Sequence, residues 1–161
     1  MMVDTILETF NRHGVQYLLI GGMNFMLRHD PVLTYDVDVW IADTPENRAR
    51  CEAALAALEG AWGPTEQDWG PVTKLPAGWL ARQPVFSLTT EAGAVDVFRA
   101  VSGLGDWAVC AAHGVAERTA AGTKYRGLSD EDMLRCQEAI VEDEQKPERI
   151  RRLRQALKKK T

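Results

Sequence analysis

Apolar positions recur along the chain with two different periods, and the alternation between them predicts the order of elements. Val3, Ile6, Leu7 and Phe10 follow the spacing of one helix face, and Gly14 stands where a C-terminal cap belongs, so the first helix ends near His13. Val15 to Ile20 is a nearly unbroken apolar run of strand formers, the pattern of a central strand covered on both faces. Gly21 and Gly22 end it, and Met23 to His29 leaves room for about two helical turns before Pro31. From Thr34 to Ala42 the period becomes two: Val37, Val39 and Ile41 fall on one face of a strand, Asp36, Asp38 and Trp40 on the other.

Thr44, Pro45 and Glu46 form a helix start, with Thr as cap, Pro at the first helical position and an acid near the positive end of the dipole. Cys51, Ala54, Leu55 and Leu58 make the buried stripe of that helix, which Gly60 closes. Ala61 to Gln83 has no sustained period and reads as a long loop with room for one short strand. Pro84 to Thr90 and Ala94 to Ala100 read as a strand pair turning at Glu91-Ala92-Gly93. A short helix over Gly105 to Ala112 and strands at Val115 to Thr119 and Thr123 to Arg126 follow. Ser129 and Asp132 then open a helix running to about Val141, with Leu128 placed to pack on Met133. A last helix begins near Pro147 and carries Ile150, Leu153 and Leu157.

A chain of 161 residues with 45% hydrophobic and 26% charged positions fits one globular domain. No apolar run approaches the roughly 18 residues of a membrane span, and no basic-then-apolar leader is visible at the N-terminus, so a cytoplasmic protein is expected. Cys51, Cys110 and Cys136 are odd in number and too far apart for a CxxC site, and His13, His29 and His113 lack zinc-ligand spacing. Any metal must therefore be held by oxygen. Charge is unevenly placed: Lys146 to Lys160 holds eight basic residues and one acid, leaving eleven basic against twenty-two acidic elsewhere. The basic tail either complements the end of its own helix or meets the phosphates of a nucleic acid such as tRNA.

Asp36 and Asp38 leave the same face of one strand, and two carboxylates that close repel unless a cation or proton sits between them. Magnesium favours hard oxygen ligands and is completed by substrate phosphates, with manganese as an alternative. Asp96, on a separate strand between Val95 and Val97, is available as a third ligand. Gly21-Gly22 at a helix start would let backbone amides approach a phosphate, and Asn24 would add a side-chain donor.

An apolar strand, Gly-Gly, thirteen residues, Asp-Val-Asp-Val, and a later Ala-Val-Asp-Val-Phe together resemble the nucleotidyltransferase superfamily with the DNA polymerase β type of catalytic domain. The pattern most resembles the small bacterial minimal nucleotidyltransferases and the abortive-infection type toxins. The resemblance covers Val15 to Arg99, and the helix from Leu128 to Ile140 is similar to one that follows the core in such proteins. It implies an α/β (α+β) fold with a mixed central sheet flanked by helices, in which residues 1–127 form the core and 128–161 a small helical C-terminal part. It also implies that Asp36, Asp38 and Asp96 bind magnesium and act in catalysis, and that Gly21 and Gly22 hold an NTP. The implied reaction moves a nucleoside monophosphate from that NTP to an acceptor hydroxyl, on a small molecule, protein or tRNA, and releases pyrophosphate. The alternative is a degenerate member that binds nucleotide or a protein partner, as in a toxin–antitoxin pair. Two departures bear on this choice. Gly22 stands where many relatives have Ser, and Val32 and Leu33 stand where many carry an Arg, which shifts the search for a phosphate-binding cation to Lys74, Arg28 or Arg99.

Overall fold

The computed structural model describes residues 1–31 and 34–160. Val32 and Leu33, where the sequence comparison looks for a cation, lie outside the described residues. In chain order the elements are α1 (Val3–Arg12), β1 (Tyr17–Ile20), α2 (Gly21–Arg28), β2 (Asp36–Ile41), α3 (Pro45–Ala57), β3 (Ala61–Trp62), β4 (Gly70–Pro71), β5 (Val85–Thr90), β6 (Gly93–Phe98), α4 (Trp107–His113), β7 (Val115–Arg118), β8 (Lys124–Gly127), α5 (Asp130–Ala139) and α6 (Pro147–Lys159). The eight strands form one mixed sheet in the order β4-β3-β5-β6-β2-β1-β8-β7. β2 runs parallel to β6 and β1 parallel to β8; the other neighbours are antiparallel.

Strand alternation divides the core into two layers. Leu19, Val37, Val39, Ile41, Val95 and Val97 face the side covered by Ile6, Leu7 and Phe10 of α1 and Cys51, Ala54 and Leu55 of α3. Leu18, Ile20 and Trp40 face the other side, where Phe25, Leu128, Met133 and Leu153 cover them. The residues after 128 thus share a core layer with the central strands. All four residues of β1 are buried, as expected of a strand covered on both faces.

Local signals act where the sequence places them. Thr44 caps α3 by accepting from the Asn47 amide, and Ser129 caps α5 by accepting from the Asp132 amide. The irregular stretch 61–83 is more ordered than its composition implies. It carries two two-residue strands and two short 3-10 turns, held by Trp62 and Trp79, each edge-on to Phe86 at 4.9 Å. Strands this short have no period for a sequence pattern to register.

Candidate functional site

β2 lies between β1 and β6, and the two registers converge on one residue. Asp38 is opposite Ile20 in the antiparallel pairing and opposite Asp96 in the parallel one. Register partners present their side chains to the same face, one strand spacing apart. Asp36, two residues earlier on that face, completes a group in which one carboxylate oxygen from each of Asp36, Asp38 and Asp96 lies within 4.8 Å of the others. Asp36 is exposed, Asp38 and Asp96 are half-buried, and Oδ1 of Asp38 is buried without a hydrogen-bond partner. Further along the same strands and on the same face stand Trp40 and Phe98, so the acids sit at the open end of an otherwise apolar layer.

Three carboxylates this close are held against their own repulsion. Burial, reinforced by the charges of Asp96 and Asp36, pushes the Asp38 carboxyl up to about 7, while the Arg149 guanidinium pulls the other way. Burial raises Asp96 too, with the charge of Asp36 adding to it and hydrogen bonds to Ser87 and Asp38 opposing. An all-oxygen donor set, a buried unpaired oxygen and raised carboxyls are what a hard divalent cation would relieve, and these residues fit one.

The glycine turn follows directly from Ile20. Gly21 adopts φ +69°, and a Cβ built there would lie 2.5 Å from Oδ2 of Asp38, so both backbone conformation and proximity demand glycine. No side chain caps the N-terminus of α2, which leaves its first amides available to an anion. Gly21, Gly22 and Asp38 line a cavity of about 370 Å³ whose far wall is apolar, with Phe98, Val101 and Met133 among its residues.

Asn24 is placed differently from the expectation that it would meet a nucleotide. It is fully buried, and its amide donates to the Leu128 carbonyl and to Met133 Sδ, both at 3.1 Å. Its role is to tie α2 to the start of α5, against Gly127, where a Cβ would come within 2.3 Å of Asn24 Oδ1. The cations named from sequence do not line the cavity either. Arg28 is spent on the Leu128 carbonyl at 2.8 Å and on buried Asp130 at 3.1 Å, where His29 also binds. Arg99 is held by Asp43 and by the carbonyls of Ala81 and Gln83. Lys74 is exposed on a short turn after β4. Trp40 has no free face for a base, being 1% exposed with its indole N–H donated to the Arg99 carbonyl.

The cation at the glycine turn is Arg149, from α6. It lines the same cavity, and its Nη2 stands 3.3 Å from where a Cβ on Gly22 would be. The signal that could have found it is helical spacing: Arg149 precedes Leu153, a fully buried residue, by four positions and so shares its inward face. Other tail charges are spent within the fold. Arg152 pairs with Asp30, Arg151 with Glu148, Arg154 with Glu138 and Lys160 with Asp130.

No protein-family model matches the sequence, and neither does any curated protein. Among solved structures, the chain is similar to the antibiotic-resistance nucleotidyltransferase ANT(2'')-Ia, studied in solution for substrate-regulated conformation dynamics. That likeness has 16% identity and a TM-score of 0.57, and covers 99% of this chain and 83% of the other. A Thermotoga maritima protein assigned as a nucleotidyltransferase is similar at 14% identity and a TM-score of 0.38, over 81% of this chain and 65% of that one. With the first likeness, the chain shares the fold of that nucleotidyltransferase.

Proposed function

We propose that the protein is a metal-dependent nucleotidyltransferase that moves a nucleoside monophosphate from an NTP to an acceptor hydroxyl. The observation that carries this reading is the convergence of Asp36, Asp38 and Asp96 beside an uncapped glycine turn, with Asp38 and the turn lining one cavity, in a fold of this kind. Asp36, Asp38 and Asp96 would hold magnesium, or manganese in its place, which when bound supplies Lewis-acid stabilisation of charge on the reacting phosphoryl oxygens. Gly21 and Gly22 present backbone amides to the phosphates. The acceptor oxygen forms a bond to the α-phosphorus as the bond to the bridging oxygen breaks, and pyrophosphate leaves. Asp96, oriented by Ser87, accepts the proton of the attacking hydroxyl. The apolar wall of Phe98, Val101 and Met133 suits the flat face of a nucleobase.

A non-catalytic module that binds a protein partner, such as an antitoxin, is the competing reading. The presence of all three carboxylates in a mutually repulsive cluster weighs against it, because such a cluster costs stability that a purely structural role does not require. Among the described residues no helix is long and apolar enough to cross a membrane. The acceptor is a hydroxyl presented by a small molecule, a protein or a tRNA end. Incubating the protein with each α-labelled NTP, Mg²⁺ and a cell extract tests the proposal, with the transferred label identifying the acceptor. Label transfer that disappears in Asp36→Ala and Asp38→Ala is expected. Absence of any labelled product, or product undiminished in both variants, would sink it.

A further inference from the structure

The glycine turn and the carboxylates need a positive partner for the triphosphate, and the segment just before Asp36 holds the uncharged Val32 and Leu33 where such a residue is sought. Arg28 and Arg99 are committed elsewhere by carbonyl and carboxylate partners. Arg149 is not. Among the described residues it forms no salt bridge, and its Nε is buried without a hydrogen-bond partner. Its guanidinium carbon lies 5.3 Å from the centroid of Phe25, one helical turn along from Gly21 and Gly22, and this stacking holds the fork in place beside the turn. A half-buried guanidinium with an unspent donor is costly unless an anion arrives to use it. Here the anion's other contacts, the free amides of α2, are already assembled next to it.

Resting on the nucleotidyl-transfer reading, we propose that Arg149 is the triphosphate-binding cation of this site. The guanidinium contacts the phosphates beside Gly22, and α6 thereby becomes part of the nucleotide site. A cation supplied from the C-terminal helix replaces one supplied from the segment that precedes the acids in sequence. Glycine at position 22 fits the same arrangement, since any larger residue there would press on Arg149 Nη2 at 3.3 Å and on Thr34 Oγ1 at 3.1 Å.

The test uses the full chain and calorimetric titration with Mg²⁺ and the α,β-methylene analogue of each common NTP. Titrations with the matching nucleoside monophosphates, and with Mn²⁺ alone, complete the set. Arg149→Met should weaken the triphosphate analogue on the order of 10- to 100-fold, the range for one charge-assisted hydrogen-bonded contact. Mn²⁺ affinity and monophosphate affinity should hold within about threefold, which also reports an intact site. Arg149→Lys should recover part of the loss, because it restores the charge without the fork. Gly22→Ala should weaken the analogue in the wild-type background and by less in the Arg149→Met background. If Arg149→Met binds the triphosphate analogue as wild type does, or loses Mn²⁺ and triphosphate affinity together, Arg149 is not the phosphate contact. If the wild-type protein binds none of the four analogues, the nucleotidyl-transfer reading itself falls, and this inference with it.

Discussion

Gly21→Ala separates backbone strain from damage to the carboxylate cluster. An alanine at φ +69° carries a left-handed penalty of roughly 1–2 kcal/mol. Its Cβ would also meet Asp38 at three atoms, Oδ2 at 2.5 Å, Cγ at 3.2 Å and Cβ at 3.3 Å. Relief requires about 1 Å of movement to reach ordinary van der Waals separation, and the pairing of Ile20 with Asp38 leaves the strands little room to part. The Asp38 carboxylate must therefore leave its present place beside Asp36 and Asp96. Metal ligation tolerates only about 0.2 Å, so the cost at the metal should exceed the cost to the fold. Gly105 provides the control: its φ is +71°, with nothing within 4 Å of an added Cβ. Both Gly21→Ala and Gly105→Ala should lower the melting temperature, by about 2–8 °C for a chain of this size. Only Gly21→Ala should weaken Mn²⁺ binding, by tenfold or more in a calorimetric or paramagnetic titration. Wild-type Mn²⁺ affinity in Gly21→Ala, or an equal loss in Gly105→Ala, would refute the claim that the turn is shaped around Asp38.

Two further outcomes follow from the buried charges. Because the Asp38 carboxyl is raised in the folded protein, the folded state binds its proton more tightly than the unfolded chain. Without metal, stability should fall as pH rises from about 4 to about 7, and Asp38→Asn should reduce that fall, leaving the part due to Asp96 and gaining about 1–3 kcal/mol at pH 8 after allowance for partial exposure. Denaturant titrations across pH test this, and a variant no more stable than wild type at pH 8 without metal would contradict it. At the other end of α2, burial pushes Asp130 up, but the hydrogen bond from His29 and the charge of Arg28 outweigh it and hold the carboxyl below its ordinary range. Its stabilisation is present at neutral pH and lost as pH falls below about 4, so Arg28→Ala should cost about 2–3 kcal/mol at pH 7 and less in acid. A cost that is the same at pH 3 and pH 7 would show that Arg28 acts through packing alone.

What the sequence discloses and what it conceals divide along physical lines. The acidic face of β2 is legible because Asp-Val-Asp-Val enforces period two, and the valines, which must be buried, leave the acids only the other face. The third carboxylate is legible because Asp96 interrupts an apolar strand that has no other reason to hold a charge. Asn24 misleads for the opposite reason: a polar residue after a glycine turn looks available, yet it lies on the buried side of α2 with Met23 and Phe25, and its amide donates to the Leu128 carbonyl. Arg149 was hidden among eight basic residues whose composition reads as a solvated tail. Arg151, Arg152 and Arg154 do spend their charge on the surface partners Glu148, Asp30 and Glu138, contacts worth little individually.

The docking of α6 therefore rests on Ile150 and Leu153 rather than on its ion pairs, and those two residues fix where Arg149 points. That dependence places a residue of the C-terminal segment in the wall of the cavity that Gly21, Gly22 and Asp38 line. Leu153 packs in the same layer as Ile20, the residue that precedes the glycine turn and pairs with Asp38. The apolar layer that closes the fold thus sets the spacing between the carboxylates, the turn and Arg149. Opposite charges are held close around a cavity without being paired off by salt bridges. In the free protein Asp38 and Arg149 partly offset each other's burial, and an incoming metal and phosphate would each take over one side of that contact.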